Sequence, residues 1–328
     1  MLRTVPPGLA AIQDPVRESL EGVVQEMRRV AVSDYRPLAD VSDYILLKRG
    51  KLFRPTLVLL AAGLEGTGPD AARPVAALVE LVHLATLVHD DAVDHSVMRR
   101  GMPTVNALWN HRTAIIMGDF LYSRSVARLA ELGDLEQIGV LARAANRMSV
   151  GELRALHAAD ALDLGEDAYY RLIAAKTASL ISASCELGSL VGGGAHREPL
   201  ARYGHELGMA FQIVDDVIDY VAPETATGTP SGHDLREHKV TLPLIEALPR
   251  ASAAERREIE RFFADGTPTD EGIDRVTTVV RERGGVERAM ARAEAYGGAA
   301  LAALDGLPRG ESAEALRLAV AYVVNRKA

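Results

Sequence analysis

The sequence predicts an all-α fold, on three observations. Apolar residues recur at three- and four-residue spacing along almost the whole chain, alternating strand-like patterns are scarce, and a helical pattern resumes directly after each short Pro/Gly-rich break. Helices are expected at about 13–30, 38–48, 53–64, 71–97, 110–132, 135–160, 167–193 and 198–221, and again at 239–248, 253–265, 271–284, 286–305 and 311–326. The segment Gly-Leu-Glu-Gly-Thr-Gly-Pro at 63–69 ends one helix, and Asp70 is the expected N-cap of the next. Gly192, Gly193 and Gly194 stop another. A polar loop at 222–234 follows directly on an acidic helix. No linker and no repeat divides the chain, so residues 1–328 read as one large helical domain, with about 1–12 loosely ordered.

Composition excludes several classes of function. Of the 328 residues, 37 are Lys or Arg and 45 Asp or Glu, a net charge of −8 that lacks the basic excess of a nucleic-acid binder. A lone cysteine, Cys185, rules out an internal disulfide and fits a reducing cytoplasm. The N-terminal residues carry no apolar core of signal-peptide length. The most apolar stretch, 75–88, is interrupted by Glu80 and His83 and is too short to span a membrane. A soluble protein is expected.

Two acidic triplets carry the chemistry. Leu-Val-His-Asp-Asp-Ala-Val-Asp supplies Asp90, Asp91 and Asp94, and Phe-Gln-Ile-Val-Asp-Asp-Val-Ile-Asp supplies Asp215, Asp216 and Asp219. Acids at i and i+4 share a helix face, so Asp90 pairs with Asp94 and Asp215 with Asp219. One such string also occurs on solvated helix faces. Here both strings lie in apolar helices, among Leu84, Leu87 and Val88 in one case and Phe211, Ile213, Val214, Val217 and Ile218 in the other. Crowded carboxylates resist dehydration unless cations neutralise them, and hard divalent ions with oxygen ligands suit such a cleft. Basic residues then name the substrate class. Lys51 and Arg54 stand in Arg-Gly-Lys-Leu-Phe-Arg-Pro, Arg99 and Arg100 follow the first triplet, Lys176 opens a Lys-Thr-Ala string, and Lys239 follows the loop after the second triplet. Metals ringed by Arg and Lys form a cradle for a diphosphate.

These segments, together with Gly-Asp-Phe-Leu at 118–121 and Lys-Val-Thr-Leu-Pro at 239–243, resemble the trans-type isoprenyl (polyprenyl) diphosphate synthases along nearly the whole chain. The resemblance implies a helical bundle of the isoprenoid synthase type with a central active-site cavity, acting as a cytoplasmic homodimer. It implies three Mg²⁺ ions, with Asp90, Asp94 and Asp215 as direct ligands and Asp91, Asp216 and Asp219 completing the charge or its water shell. Arg99, Lys176, Thr177, Gln212 and Lys239 would hold an allylic diphosphate, and Lys51, Arg54, His83 and Arg100 isopentenyl diphosphate. Ionisation, condensation and elimination would then lengthen a trans-polyprenyl chain, with Asp90, Asp94, Asp215, Lys176 and Lys239 as the catalytic set, and with at most a transient membrane contact for release of a lipophilic product. The loop at 222–234 is a candidate lid. Ala85 and Thr86, five and four positions before Asp90, leave a product tunnel open as in medium- and long-chain synthases; small packing residues would look the same. The tunnel floor is sought around 116–120.

Three positions depart from the family pattern: Arg49 and His238 stand where Gly is usual, and Thr229 where Lys is usual. The last two fall on or beside the lid and bear on substrate preference. Rival readings each leave something unused. A terpene cyclase on the same scaffold has no need of Lys51, Arg54 and Arg100, and the 5% aromatic content gives little to cage cyclic cations. A His/Asp phosphohydrolase built on His83, His89 and His95 leaves the second triplet idle. A regulatory subunit of an active synthase is expected to have lost the aspartates that are complete here.

Overall fold

Helices that are apolar on every side cannot rest at a surface, and two of them set the centre of this fold. The computed structural model describes residues 8–47, 50–99, 101–158, 162–221 and 232–326. In chain order the helices are α1 (Leu9–Gln13), α2 (Arg17–Val30), α3 (Arg36–Leu47), α4 (Phe53–Leu64), α5 (Arg73–Val93), α6 (Val105–Leu108), α7 (His111–Glu131), α8 (Leu135–Ala158) and α9 (Glu166–Ile173). They continue as α10 (Ser179–Val191), α11 (Arg197–Val221), α12 (His233–Arg236), α13 (Leu242–Ala247), α14 (Ala253–Ala264), α15 (Asp270–Glu282), α16 (Gly285–Ala303) and α17 (Glu311–Asn325). Nearly every residue of α4 is buried, and α5 is buried over most of its length. The stretch Pro69–Val93 is long and apolar enough to cross a membrane, but 61% of its most apolar window is covered by the fold, as befits a core helix.

The main core gathers residues of α2, α4, α5, α7, α8, α10, α16 and α17. A second cluster lies under α13, α14 and α15, and a third joins α9 to α11 and α16. Thus α5 packs on α7, while α11 runs between α10 and α16. The acidic ends of α5 and α11 therefore sit on helices that pack against several others.

Most boundaries fall within three residues of expectation, and the exceptions have local causes. Asp70 is not the N-cap of α5: it accepts from the Ser19 hydroxyl at 2.6 Å and pairs with Arg73, while a 3₁₀ turn at Pro69–Ala72 leads into the helix. The helix expected to reach residue 97 stops at Val93, because His95 turns left-handed (φ 52°) and the chain enters a two-stranded hairpin, β1 (Met98–Arg99) with β2 (Met102–Pro103). Residues 9–12, expected to be loosely ordered, form α1 with Ile12 fully buried, and Gln13 binds the Lys51 carbonyl at 2.9 Å. Pro15 makes Asp14–Val16 a 3₁₀ turn, so the helix expected from 13 begins at Arg17. The element expected from 239 begins at Leu242, after extended Thr241 and with Pro243 in its first turn.

Close helix packing at the centre depends on Gly188. A methyl group there would stand 2.2 Å from the Val58 carbonyl oxygen of α4, which is backbone and cannot yield cheaply. Gly188→Val should lower stability by about 3 kcal/mol, whereas Gly298→Ala, facing open space on α16, should raise it by roughly 0.5 kcal/mol. Thermal unfolding of both variants checks the contrast.

Candidate active site

Each triplet splits into an inner acid and an outer pair. Asp91 and Asp216 point inward and are buried. Asp91 accepts from Arg99 Nε at 2.6 Å, the hairpin having folded Arg99 back onto α5. Asp216 accepts from the Tyr169 hydroxyl at 2.6 Å and from Gln212 Nε2 at 2.8 Å. Gln212 in turn accepts from the Thr177 hydroxyl at 2.7 Å, so Thr177, Gln212, Asp216 and Tyr169 form one hydrogen-bonded line. Asp90 and Asp94 remain on one face of α5, and Asp215 and Asp219 on one face of α11.

Lys176 and Thr177 owe their direction to an irregular backbone. Ala174–Ala178 is a π-helical turn between α9 and α10, the kind of insertion that re-aims side chains at functional sites. Gly151 of α8 makes room for it, since a methyl group there would meet the Lys176 backbone nitrogen at 2.8 Å. The neighbouring Glu152 binds Lys176 Nζ at 2.6 Å. On the opposite side, Asp219 accepts from the backbone N–H groups of His233 (3.0 Å) and Asp234 (2.9 Å), and Lys239 pairs with the Glu237 carboxylate.

The charges of the two lysines link the first triplet to acids beside the second. The charge of Lys176 reaches Asp90 on α5 and Glu237 beside the second triplet. That of Lys239 sits among Glu237, Asp234 and Asp94. Buried acids around them resist ionisation. Burial, helped by Glu152 and Asp94, lifts Asp90 to about 6 against the pull of Lys176. Burial also raises Asp216, Asp219 and Asp234, and their mutual repulsion adds to it. Lys239 goes the other way: burial would lower it, but the Glu237 carboxylate holds it above the usual range.

Asp215 is 56% exposed at its side chain and is met by Arg326 at 2.7 Å. Arg326 also lies over the Phe211 ring, 4.1 Å from its centroid, and donates to the Phe211 carbonyl at 3.0 Å. Lys51 is exposed at the start of α4, Arg54 is half-buried in its first turn, and His83 is half-buried on α5. Ala85 is buried in the core, and the half-buried Thr86 turns its hydroxyl back to the His83 carbonyl at 2.8 Å. Of the tunnel-floor segment, Met117 and Gly118 are buried and Phe120 is half-buried, while Ile116 is exposed. Arg100, Arg49, Thr229 and positions 222–231 of the candidate lid lie outside the described residues.

Five contributors escape sequence reading: Glu152, Tyr169, Asp234, Glu237 and Arg326. Asp234 had a signal, as the acid that ends the polar loop following an acidic helix. The others carry no pattern in the sequence until the fold brings them to the site.

The described residues contain no group of three His, Cys, Asp or Glu side chains arranged to hold a metal by themselves. Mg²⁺ does not require such a cage, since it keeps several waters and takes one or two carboxylates plus substrate phosphates. The donor set fits that mode: oxygen ligands only, in outer pairs on two helices, with an excess of carboxylate whose repulsion a cation would relieve.

A family model described as polyprenyl synthetase matches residues 36–280. The heptaprenyl diphosphate synthase component 2 of Geobacillus stearothermophilus is 36% identical over 323 residues, covering 97% of this chain and 99% of that protein. The octaprenyl diphosphate synthase of Escherichia coli (strain K12) is 34% identical over 310 residues, covering 94% and 96%. Among solved structures, a decaprenyl diphosphate synthase from Rhodobacter capsulatus superposes with a TM-score of 0.91 at 35% identity, over 97% of this chain and 98% of that one. A polyprenyl synthase from Caulobacter crescentus CB15, complexed with calcium and isoprenyl diphosphate, superposes with a TM-score of 0.94 at 31% identity, over 99% and 100%. Sequence and architecture agree along the whole chain, and it belongs to the polyprenyl synthetase family as a prenyltransferase of the trans-polyprenyl diphosphate synthase type.

Proposed function

We propose that this chain condenses isopentenyl diphosphate with an allylic diphosphate to make a medium- or long-chain trans-polyprenyl diphosphate, with Mg²⁺ as its metal. The observation that carries the reading is that the charges of Lys176 and Lys239 reach Asp90 and Asp94 of the first triplet and Glu237 and Asp234 beside the second, so that cationic side chains and crowded carboxylates meet. Mg²⁺, when bound, supplies positive charge to a departing diphosphate. Asp90, Asp94, Asp215 and Asp219 would hold it, with Asp91 and Asp216 fixing the helices that present them. Lys176 and Lys239 add fixed charge on the leaving diphosphate, in a site where low dielectric strengthens it. Lys51, Arg54, His83 and Arg100 are assigned to isopentenyl diphosphate, which attacks the allylic cation through its double bond and then gives up a proton to the released diphosphate, restoring an alkene. Lid closure over the loop at 222–234 would exclude water from that cation.

The reading extends to a cytoplasmic homodimer. Ile115, Ile116 and Tyr122 of α7 and Val150, Leu153 and Leu156 of α8 are exposed apolar side chains that a second copy would cover. The relative named as a component of a heptaprenyl synthase raises the alternative of a partner chain. Native mass together with elongation by the isolated chain decides between them.

Isopentenyl diphosphate supplied with allylic primers of increasing length should give all-trans polyprenyl diphosphates, resolved by chromatography after dephosphorylation. A hydrocarbon formed from geranylgeranyl diphosphate and Mg²⁺ alone would instead mark a cyclase. Ala85→Phe should shorten the product, and an unchanged product distribution in a folded variant would defeat the tunnel assignment. Because Ala85 is buried, its melting temperature is measured alongside.

Metal binding should depend on pH in a definite direction. Asp90 holds its proton up to about 6 in the folded, metal-free protein, whereas the same group in the unfolded chain loses it near 3.8. Between these values the folded state binds more protons, so this contribution to stability is present at low pH and is lost as pH rises through 6. Cations compete with those protons. Added Mg²⁺ should therefore raise the melting temperature strongly at pH 8 and little at pH 5.5; an equal rise at both would contradict the carboxylate site.

A further inference from the structure

Among the described residues, three other than glycine hold left-handed backbone: Leu52 (φ 50°), His95 (φ 52°) and His238 (φ 51°). Each adjoins a residue of the site, namely Lys51, Asp94 and Lys239. Side chains rarely tolerate this conformation, and it persists where surroundings over-determine it. At His238 those surroundings are visible. The short helix α12 ends in a Schellman turn, with the His238 N–H donating to the Leu235 carbonyl at 3.1 Å and the Lys239 N–H to the Asp234 carbonyl at 2.8 Å. His238 occupies the position of that turn which usually falls to glycine.

What stands in place of glycine's freedom is an aromatic clamp. The His238 ring lies 5.5 Å from Phe262 and 5.5 Å from Phe263, centroid to centroid, and these two rings meet edge-on at 5.3 Å. Both phenylalanines are buried in the cluster under α13, α14 and α15. Their helix, α14, starts with a full capping box of Ser252 and Glu255, and Glu255 is gripped in turn by Arg283. The clamp thus has a rigid base. Lys239, the next residue, pairs with Glu237, and its charge is felt by Asp234 and Asp94.

We propose that His238 is a positioning residue: its ring, wedged against Phe262 and Phe263, ties the turn to α14 and so sets where Lys239 presents its ammonium group beside Glu237. This inference rests on the proposed reading of the site for the identity of the Lys239 ligand, an allylic diphosphate. A residue serving only the fold would behave differently. Replacing it with glycine removes the backbone strain, so stability is kept or gained, while Lys239 loses its tie and binds its ligand less well. Function and stability part company.

The test uses the full chain carrying His238→Gly, His238→Asn or His238→Phe. Glycine and asparagine tolerate the left-handed turn but lack the ring; phenylalanine keeps the ring. The first two should raise KM for the allylic primer about tenfold, the loss of one well-placed charged contact, with KM for isopentenyl diphosphate within about twofold of the parent and no fall in Tm. His238→Phe should stay within about threefold of the parent for both substrates. An unchanged allylic KM in His238→Gly, a parallel rise of both KM values, or a His238→Phe variant as impaired as His238→Gly would each overturn the proposal. Calorimetric titration with inorganic diphosphate and Mg²⁺ gives a readout free of turnover. A parent chain that binds diphosphate but does not elongate would sink the proposed function alone. Equal diphosphate affinity in the parent and His238→Gly would sink the positioning role alone.

Discussion

Repulsion among carboxylates held near low-dielectric core is the constraint around which this molecule is arranged. Asp216, Asp219 and Asp234 crowd one side of the site and Asp90 lies on the other, each pushed up by burial. Water cannot disperse that charge, so the protein must. It does so by committing the inner acids to partners of its own, Arg99 for Asp91 and the Tyr169–Gln212 pair for Asp216. The outer acids of the second triplet are held as well, Asp215 by Arg326 and Asp219 by the backbone N–H groups of His233 and Asp234.

The basic residues obey the same logic in reverse. Lys176 rests on Glu152, Lys239 on Glu237, and Arg326 on Asp215. Each cation is thereby pre-placed by a carboxylate that is not its eventual ligand. An arriving diphosphate would need only to take over the charge, without drawing a long flexible side chain out of solvent, and that reduces the entropic cost of binding.

Regular helix supplies rigidity, and irregular backbone supplies aim. Among the described residues, the π turn at Ala174–Ala178, the left-handed residues Leu52, His95 and His238, and the β1–β2 hairpin all adjoin the acidic or basic residues of the site. Elsewhere the chain follows ordinary helix chemistry, with side-chain caps at Asn110, Ser252 and Thr269 and bulky apolar residues filling α4 and α5. Backbone strain is concentrated where side chains must point in directions that a helix alone does not offer.

Helical periodicity, the apolar setting of the two triplets and the basic strings beside them were legible in the sequence, because each depends on residues within one or two turns of each other. Boundaries failed at local backbone features that helical spacing does not report, the 3₁₀ turns at Asp14–Val16 and Pro69–Ala72 and the left-handed turn at His95. Which acid of each triplet turns inward, which glutamate holds which lysine, and how Arg326 reaches Asp215 from 111 residues away were decided only by tertiary structure. The physical reason is range: helix propensity and facial spacing act over a few residues, whereas the pairing of buried charges is settled by whichever groups packing brings within a few ångströms.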